Sequence, residues 1–321
     1  MIISGALAPG SSGMVYLDRV DSEILTLHDS VVLSNGSFEF NLHQEGMQVA
    51  YLRIPATPPL MFYAEPGHIE VQGRVDSAGA IQVSGTGNND AFMEFQKIAK
   101  EEDFKMGPII DSVKALSFGS NIRSLDSFNH LLKANRERFY TEYARIHPDA
   151  MQSLYNAFVL SSNGNFDLAG YSRLISPSIL STSLGRRLTA LIESRQATAI
   201  GSPAPDITAK DVNDSIVQLS ALKGKHVFLQ FWSPGCRECA LQNVHIMRIF
   251  NKLKSPKWAM VSYSVDMDKN YWIEQSTQQM ISWINISDHQ GWSSSIPRSY
   301  GVIATLCFII LIPRAFSASK E

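Results

Sequence analysis

The stretch from residue 226 to residue 254 constrains the fold of this chain more than any other. It begins with a β-branched and aromatic run at residues 226–232, a composition typical of a buried strand. Ser233-Pro-Gly235 then predicts a turn, and seven apolar side chains recur at helical spacing from Cys239 to Phe250. A buried strand that leads directly into an amphipathic helix is typical of an α/β sheet.

Two cysteines lie at the start of that predicted helix. Unpaired N–H groups and the helix dipole at a helix N-terminus favour an anion, here a thiolate at Cys236. Cys239 follows three residues later on the same face, within disulfide reach of Cys236. One thiolate can attack a foreign disulfide, and the other can resolve the mixed disulfide. We therefore predict a redox-active dithiol.

Composition and net charge limit the kinds of partner and the kind of cysteine chemistry that we expect for this chain. The 321 residues suffice for two or three domains. The net charge is −2 and no Lys/Arg cluster occurs, so neither nucleic acid nor an anionic membrane is an expected partner. Three cysteines are too few for a disulfide framework, which favours a catalytic role for the C-x-x-C pair.

Residues 1–86 predict a small all-β domain, a sandwich or a barrel-like fold. Short alternating runs separated by Gly, Pro, Asn and Ser occur at residues 14–20, 23–33, 37–42, 48–54, 68–75 and 80–83. Asn35-Gly36 predicts a tight hairpin between two of these runs. His28, His43 and His68 lie on different predicted strands, and we interpret them as surface or hydrogen-bonded histidines rather than ligands.

Residues 88–195 predict a helical linker domain. The apolar period becomes helical over residues 92–98, 122–146 and 151–158, and Ser183 is expected to cap a further helix. We interpret the aromatic stripe in this segment as a packed core rather than a cofactor groove.

Residues 200–321 follow a proline-containing linker and predict a mixed sheet with flanking helices. The predicted strands are 207–211, 216–219, 226–232, 258–265, 283–286 and a long buried strand at 302–312. The predicted helices begin near the first cysteine and at residues 269 and 292.

Residues 200–312 resemble the TlpA-type thiol–disulfide oxidoreductases of the AhpC/TSA–thioredoxin superfamily. The matching segments are residues 200–206 (IGSPAPD), 219–226 (LSALKGKH), 231–239 (FWSPGCREC), Asp288 with 291–292 (GW), and 300–305 (YGVIAT). Residues 1–195 also look like the β-rich domain and helical linker that precede such modules in some of these proteins. That second likeness rests on residues 3–5, 16–17, 35–38 and 65–67. The resemblance implies a thioredoxin-like α/β fold for the C-terminal domain.

The resemblance also implies a role for each site residue. Cys236 would be the exposed attacking thiolate, and Cys239 the buried resolving thiol. Trp232 would brace the active-site turn. Thr305 and Leu306 would form the loop opposite the dithiol, where relatives dock the substrate backbone with a Thr-cis-Pro pair.

Several positions depart from the family pattern. Leu306 stands at the cis-proline position, where a non-proline cis bond would cost about 2.5–4 kcal/mol. Gln230 stands where thioredoxins often have a buried acid, and Gln242 where TlpA-type members often have a glutamate. An amide cannot accept the resolving thiol's proton as a carboxylate can. Arg237 is expected to favour the thiolate of Cys236 and Glu238 to oppose it.

Partners and location follow from the same resemblance. Protein disulfides are the expected substrates, an upstream thiol is the expected electron donor, and no cofactor is expected. The family implies the periplasm or cell envelope. No signal peptide is visible, which predicts either a cytosolic protein or a missing targeting segment. Residues 313–321 lack periodicity, so we expect a shortened C-terminus that leaves one sheet edge uncovered.

Two other functions stay open at this point. The replaced proline and acids favour a non-catalytic envelope binding or scaffold protein with a degenerate thioredoxin module. A peroxiredoxin-like peroxidase would want Thr or Ser three residues before Cys236, which Ser233 satisfies, and a proline where Leu229 stands.

A metal site is the remaining alternative. It would draw its Cys and His ligands from Cys236, Cys239, His245 and Cys307. His245 matches the helical face of Cys239 poorly, and a cysteine in a buried strand is more often a small core residue. We therefore predict no metal.

Overall fold

The structure is a computed structural model that describes residues 1–21, 24–74, 81–117, 122–162, 166–253, 255–305 and 307–313. The chain divides into two compact units, Met1–Leu188 and Thr189–Glu321. Among the described residues, no helix combines the length and the hydropathy that crossing a bilayer requires.

The first unit begins with two four-stranded sheets. Their strands are β1 (Ile2–Leu7), β2 (Gly13–Asp21), β3 (Ile24–Leu33), β4 (Ser37–Asn41), β5 (Gln48–Arg53), β6 (Leu60–Ala64), β7 (His68–Gly73) and β8 (Gln82–Ser84). One sheet has the order β4-β1-β7-β8 and the other β3-β2-β5-β6. Alternate residues of both sheets, such as Ile3, Leu17, Phe40 and Leu52, enter one common core. The predicted all-β sandwich is confirmed.

Strand β6 was not among the predicted runs because it does not alternate. Its residues Tyr63 and Ala64 are both fully buried. The Tyr63 amide donates to Asn89 Oδ1 (2.9 Å), and the Tyr63 hydroxyl donates to Gln152 Oε1 (2.8 Å). Helical residues thus cover the outer face of this strand, so both faces carry apolar side chains.

The Asn35-Gly36 turn forms, but it does not close a hairpin within one sheet. Asn35 has φ 47° and Gly36 φ 81°, the left-handed values that a type I′ turn requires. A single bridge joins Ser34 to Ser37, after which β3 and β4 enter different sheets. The prediction was therefore right about the turn and wrong about the pairing, which depends on contacts distant in sequence.

Helices follow the sandwich. They are α1 (Gly87–Ser117), α2 (Ile122–Ile146), α3 (Met151–Ser161), α4 (Leu168–Ser172), α5 (Pro177–Leu180) and α6 (Ser183–Ala197). The predicted cap of α6 at Ser183 is wrong by one residue, because the Gly185 amide donates to Thr182 Oγ1 (3.1 Å). The predicted division at residues 86–88 stays a prediction.

The second unit holds a six-stranded mixed sheet of order β10-β9-β13-β12-β11-β14. Its strands are β9 (Thr208–Asp211), β10 (Ile216–Gln218), β11 (His226–Trp232), β12 (Trp258–Ser264), β13 (Ile284–Ser287) and β14 (Cys307–Leu311). Its helices are α7 (Arg237–Leu253), α8 (Lys269–Gln278) and α9 (Ser295–Ser299), with 3₁₀ turns at Leu219–Leu222 and Gly291–Ser293. Strands β11, β12 and β13 are parallel, and β14 pairs antiparallel with β11. The predicted mixed sheet with flanking helices is confirmed.

Two sequence patterns were interpreted wrongly in this unit. The long buried strand at 302–312 is only the edge strand β14 within the described residues, and its Ile310 is 59% exposed. On α7, Leu241, Val244 and Ile249 are exposed. The buried positions of that helix include Cys239, Asn243 and Ile246. Spacing of four and three residues keeps them on one helix face, and Leu241 points away from it.

Candidate redox site

The candidate site lies where β11 passes into α7. The Cys236 amide donates to Ser233 O (3.0 Å) and closes the turn. Cys236 therefore immediately precedes Arg237, the first residue of the helix. The Cys239 amide donates to Cys236 Sγ (3.1 Å), and the Ala240 amide to Cys236 O (3.1 Å). The sulfur thus accepts one of the N–H groups that a helix N-terminus leaves unpaired.

Cys236 and Cys239 form a disulfide, with Sγ atoms 2.10 Å apart and Cα atoms 5.2 Å apart. Cys236 is half-buried, whereas Cys239 is completely buried. Only the first sulfur is therefore accessible to a molecule that approaches from solvent. After reduction, such a pair supplies one nucleophile and one internal thiol.

Two buried tryptophans pack against the disulfide. Trp232 and Trp272 have no exposed surface and form one apolar cluster with Cys239. Trp232 Nε1 donates to Asn285 Oδ1 (3.1 Å), and Asn285 Nδ2 donates to Ser276 Oγ (2.8 Å). The indole of Trp232 is therefore held by one hydrogen bond, to Asn285 of β13, and Ser276 of α8 in turn fixes the Asn285 amide.

Thr305 reaches the dithiol from a distant part of the chain. Its Oγ1 donates to Cys236 Sγ at 3.5 Å, within the longer range usual for sulfur acceptors. The antiparallel pairing of Phe231 with Cys307 brings the loop before β14 to the end of β11. Leu306, the other residue predicted for this loop, lies outside the described residues.

Two segments of the chain match known protein families. Residues 200–307 match the AhpC/TSA family, and residues 1–92 match a domain of unknown function, DUF4369. Residues 200–307 belong to the AhpC/TSA family. This AhpC/TSA domain contains the disulfide, both tryptophans and Thr305, and its fold is thioredoxin-like. The family and the fold predicted from the sequence are confirmed.

Curated relatives of the AhpC/TSA domain carry the name thiol-disulfide oxidoreductase ResA. The Bacillus subtilis protein is 31% identical over 80 residues, which are 25% of this chain and 45% of that protein. A Bacillus cereus protein is 25% identical over 150 residues, 46% of this chain and 81% of that protein. The chain thus spans about half the length of the first of these relatives. A solved thioredoxin domain of a thiol-disulfide oxidoreductase from Bacteroides vulgatus is 25% identical, covers 36% of this chain and 84% of its own, and has a TM-score of 0.35.

The two glutamines predicted near the dithiol have different environments. Gln230 is completely buried on β11, whereas Gln242 is exposed on α7. The buried position one turn beyond Cys239 is taken by Asn243, which accepts from Gln230 Nε2 (2.9 Å). Gln230 Oε1 in turn accepts from Ser262 Oγ (2.7 Å). The polar interior of the AhpC/TSA domain at this place is therefore neutral.

Charges beside the dithiol are on the surface. Arg237 and Glu238 are both exposed at the first turn of α7, where solvent weakens their effect on Cys236. The third cysteine, Cys307, is half-buried and free. Burial raises the pKa of its thiol, and Arg195 partly opposes this shift.

Sequence reasoning missed three residues that build the site: Asn243, Trp272 and Asn285. Asn243 had a local signal, because it lies four residues after Cys239 and therefore on the same helix face. Trp272 was inside a predicted helix, and Asn285 inside a predicted strand, but neither pattern says what those elements face.

The alternative metal ligands are not brought together. Cys236 and Cys239 are bonded to each other, and His245 is exposed on α7. Within the described ranges, no group of three or more His, Cys, Asp or Glu side chains is arranged to hold a metal ion.

Proposed function

We propose that the protein is a thiol–disulfide oxidoreductase that reduces protein disulfides through Cys236 and Cys239. The observation that carries the proposal is the disulfide between an accessible sulfur at a helix N-terminus and a buried one three residues later. The names of the ResA relatives support the same activity.

The reaction has two exchange steps. In the reduced protein, the Cys236 thiolate attacks one sulfur of a substrate disulfide and expels the other sulfur as a thiolate. The Cys239 thiol then loses its proton and attacks Cys236 Sγ, which forms the internal disulfide and releases the second substrate thiolate. The substrate gains two electrons and, after protonation, leaves as two thiols. An upstream thiol donor returns the two electrons by the reverse exchange.

Neighbouring groups favour the first step. The helix N-terminus and the Thr305 hydroxyl both direct hydrogen toward Cys236 Sγ, which favours the thiolate over the neutral thiol. Arg237 acts in the same direction and Glu238 in the opposite one, both from exposed positions. We assign Trp232 to bracing the turn, and Thr305 with Leu306 to docking the substrate backbone.

Neighbouring side chains assist the second exchange step, the attack of Cys239 on Cys236, less than they assist the first. Gln230 and Gln242 are amides and cannot take the proton of Cys239. We therefore expect resolution of the mixed disulfide to be slower than its formation, so that the mixed disulfide accumulates during turnover.

The compartment is inferred from the chemistry. Disulfides form and persist in oxidising compartments, where a protein-disulfide reductase has substrates. We infer that the protein acts outside the cytoplasm, in the periplasm or cell envelope, and receives electrons from a membrane-linked or soluble thiol donor.

Insulin reduction tests the activity. The wild-type protein with dithiothreitol is expected to accelerate insulin precipitation, Cys236→Ser is expected to abolish the acceleration, and Cys239→Ser is expected to trap a mixed disulfide visible on a non-reducing gel. Cys307→Ser is the matched control and should keep the wild-type rate. A Cys236→Ser variant that reduces insulin at the wild-type rate would refute the proposal.

A non-catalytic binding or scaffold function is the second candidate. The neutral Gln230–Asn243 pair favours it, because the interior has an amide where the related enzymes often have an acid. This function predicts that the Cys236–Cys239 disulfide stays closed in glutathione buffers of physiological poise and that insulin is not reduced.

A further inference from the structure

Two buried polar atoms close to the dithiol have no hydrogen-bond partner among the described residues. They are Trp272 Nε1 and His289 Nδ1. The two rings contact each other edge to face, with centroids 5.2 Å apart and planes at 65°. Trp272 is completely buried and belongs to the cluster that contains Cys239 and Trp232. Trp272 thus lies in contact with both the resolving cysteine's cluster and an imidazole.

The unpaired atoms are chemically complementary. Indole Nε1 is a donor only, and Nδ1 of a neutral imidazole with its proton on Nε2 is an acceptor. A buried donor and a buried acceptor that remain unpaired each destabilise the folded protein. A hydrogen bond between these two nitrogens would satisfy both atoms at once.

The backbone keeps His289 in place for such a bond. Its φ is 55°, in the left-handed region where histidine is enriched among non-glycine residues. The His289 amide donates to Ser287 Oγ (3.1 Å), and Ser287 Oγ donates to Ser264 O (3.0 Å). The imidazole is therefore presented to Trp272 by a loop that is tied to the sheet.

We propose that His289 is a positioning residue that sets the redox equilibrium of the dithiol through Trp272. In the disulfide form, the packing of Trp272 against Cys239 leaves the indole N–H unbonded. Reduction converts the bonded sulfurs into two thiols that need more room, and Trp272 turns its N–H onto His289 Nδ1. A hydrogen bond made only in the reduced state stabilises that state and makes the disulfide easier to reduce. This inference rests on the proposed thiol–disulfide exchange.

Exchange with glutathione measures the redox equilibrium of the Cys236–Cys239 pair. The Cys236–Cys239 disulfide takes two electrons and two protons from two glutathione thiols, which gives two protein thiols and one glutathione disulfide. Loss of one hydrogen bond from the reduced state should shift this equilibrium about two- to tenfold toward the disulfide. Tenfold corresponds to about 30 mV for this two-electron couple.

Two variants remove the acceptor in different ways. His289→Gly accepts a left-handed φ and has no side chain, and His289→Phe keeps a ring but has no nitrogen. Both are titrated at one fixed pH in glutathione buffers, quenched with acid and counted for free thiols by mass spectrometry. The redox-dependent change in tryptophan fluorescence is recorded in parallel as a second readout, because Trp272 lies in the cluster that contains Cys239.

His226→Phe is the matched control. His226 also contacts a tryptophan, Trp258, with ring centroids 4.6 Å apart, but it lies at the opposite end of β11 from the dithiol. We expect both His289 variants to shift the equilibrium toward the disulfide and to reduce the fluorescence change, and His226→Phe to do neither. Equilibria of both His289 variants equal to that of wild type would overturn the inference.

A double-mutant cycle separates direct coupling from general damage. Trp272→Phe removes the indole donor, so adding His289→Phe to it should cause no further shift. Additive shifts would show that His289 acts independently of Trp272 and would overturn the inference. A wild-type protein whose disulfide does not exchange with glutathione at all would instead refute the proposed function, which keeps the two failures distinct.

Discussion

Gln230 and Asn243 are hydrogen-bonded to each other in the interior, with 2.9 Å between Gln230 Nε2 and Asn243 Oδ1. The bond joins the strand that enters the dithiol turn to the helix that leaves it. Asn243 Nδ2 also donates to Gln279 Oε1 (2.8 Å), and Ser262 Oγ connects Gln230 to the indole N–H of Trp283. The interior at this place therefore holds a connected set of neutral groups. A single carboxylate in the same position would have destabilised the folded state by its burial, but it could have accepted a proton.

Asn243→Ala is expected to lower the free energy of unfolding by about 1–3 kcal/mol, because the Gln230 amide loses its buried acceptor. Denaturant unfolding of the oxidised protein measures the change. Gln242→Ala, an exposed change at the neighbouring position, should stay within about 0.5 kcal/mol of wild type. Equal midpoints for the two variants would contradict the structural importance of the pair.

Thr305→Val is expected to slow the alkylation of Cys236 in the reduced protein about fivefold. The valine keeps the shape but loses a hydroxyl donor worth about 1 kcal/mol to the thiolate. Stopped-time labelling with iodoacetamide gives the rate. Thr277→Val, at an exposed position on α8, should leave the rate unchanged, and a wild-type rate in Thr305→Val would exclude a role for the hydroxyl.

Cys307 is expected to react more slowly than Cys236 with iodoacetamide in the folded, reduced protein. Burial raises the pKa of the Cys307 thiol, so a smaller fraction is thiolate at a given pH and its alkylation rate should keep rising with pH above neutrality. Peptide mapping by mass spectrometry assigns the labelled sites. In guanidinium the difference between the cysteines should vanish; similar rates in the native state would mean that Cys307 is accessible.

Alkaline pH is expected to destabilise the second unit through Tyr263. Burial, followed by the hydrogen bond that its hydroxyl donates to Asp288 Oδ1 (2.6 Å), raises the pKa of Tyr263 above its ordinary value. The folded state then holds a proton that the unfolded state loses above about pH 10, so this stability is fully present below about pH 10 and falls as pH rises further.

Tyr263→Phe checks that assignment. The variant should be less stable than wild type at neutral pH and should lose less stability between neutral and alkaline pH. Tyr271→Phe changes an exposed ring and should reproduce the wild-type pH dependence. An unchanged alkaline loss in Tyr263→Phe would assign the effect to other groups.

Ile310→Lys is expected to reduce self-association of the protein. Ile310 is 59% exposed on the edge strand β14, next to Phe308, whose ring contacts Phe228 at 5.3 Å between centroids. Phe228 lines an apolar groove together with Ile249 and Phe250 of α7. An edge strand beside exposed apolar surface favours association, and a charge on the edge opposes it.

Light scattering over a range of protein concentrations measures this association. Ile216→Lys is the control, because Ile216 is 72% exposed on β10 at the other edge of the same sheet. If both variants reduce association equally, the effect comes from net charge and not from the β14 edge.

The predictions from sequence were most accurate where neighbouring residues decide the structure. The turn at Asn35-Gly36 and the strand–turn–helix around Cys236 depend on local backbone preferences and on a short apolar period. The family of residues 200–307 could also be recognised, because its motifs lie around those local features. The cap of α6 is Thr182 in place of Ser183, an error of one residue, whereas the strand predicted from residue 302 begins only at Cys307.

The predictions of buried positions were wrong where several residues fitted the same sequence pattern equally well. On α7, seven apolar residues were candidates for the buried face, and the structure leaves Leu241, Val244 and Ile249 exposed. Gln242 and Asn243 are adjacent amides, yet only Asn243 is buried. A helix in contact with one side of a sheet can bury only one stripe, and the position of Cys239 decides which stripe that is.

The two cysteines at the start of α7 were thus identifiable from the chain alone, because a strand, a turn and a helix start follow one another within about a dozen residues and require only local propensity. What surrounds Cys236 and Cys239 was decided by the tertiary structure. Antiparallel pairing of β14 with β11 brings Thr305 to Cys236, and the packing of α8 brings Trp272 to Cys239 and His289 to Trp272. These contacts join residues between 17 and 69 positions apart, and local periodicity carries no information about such pairings.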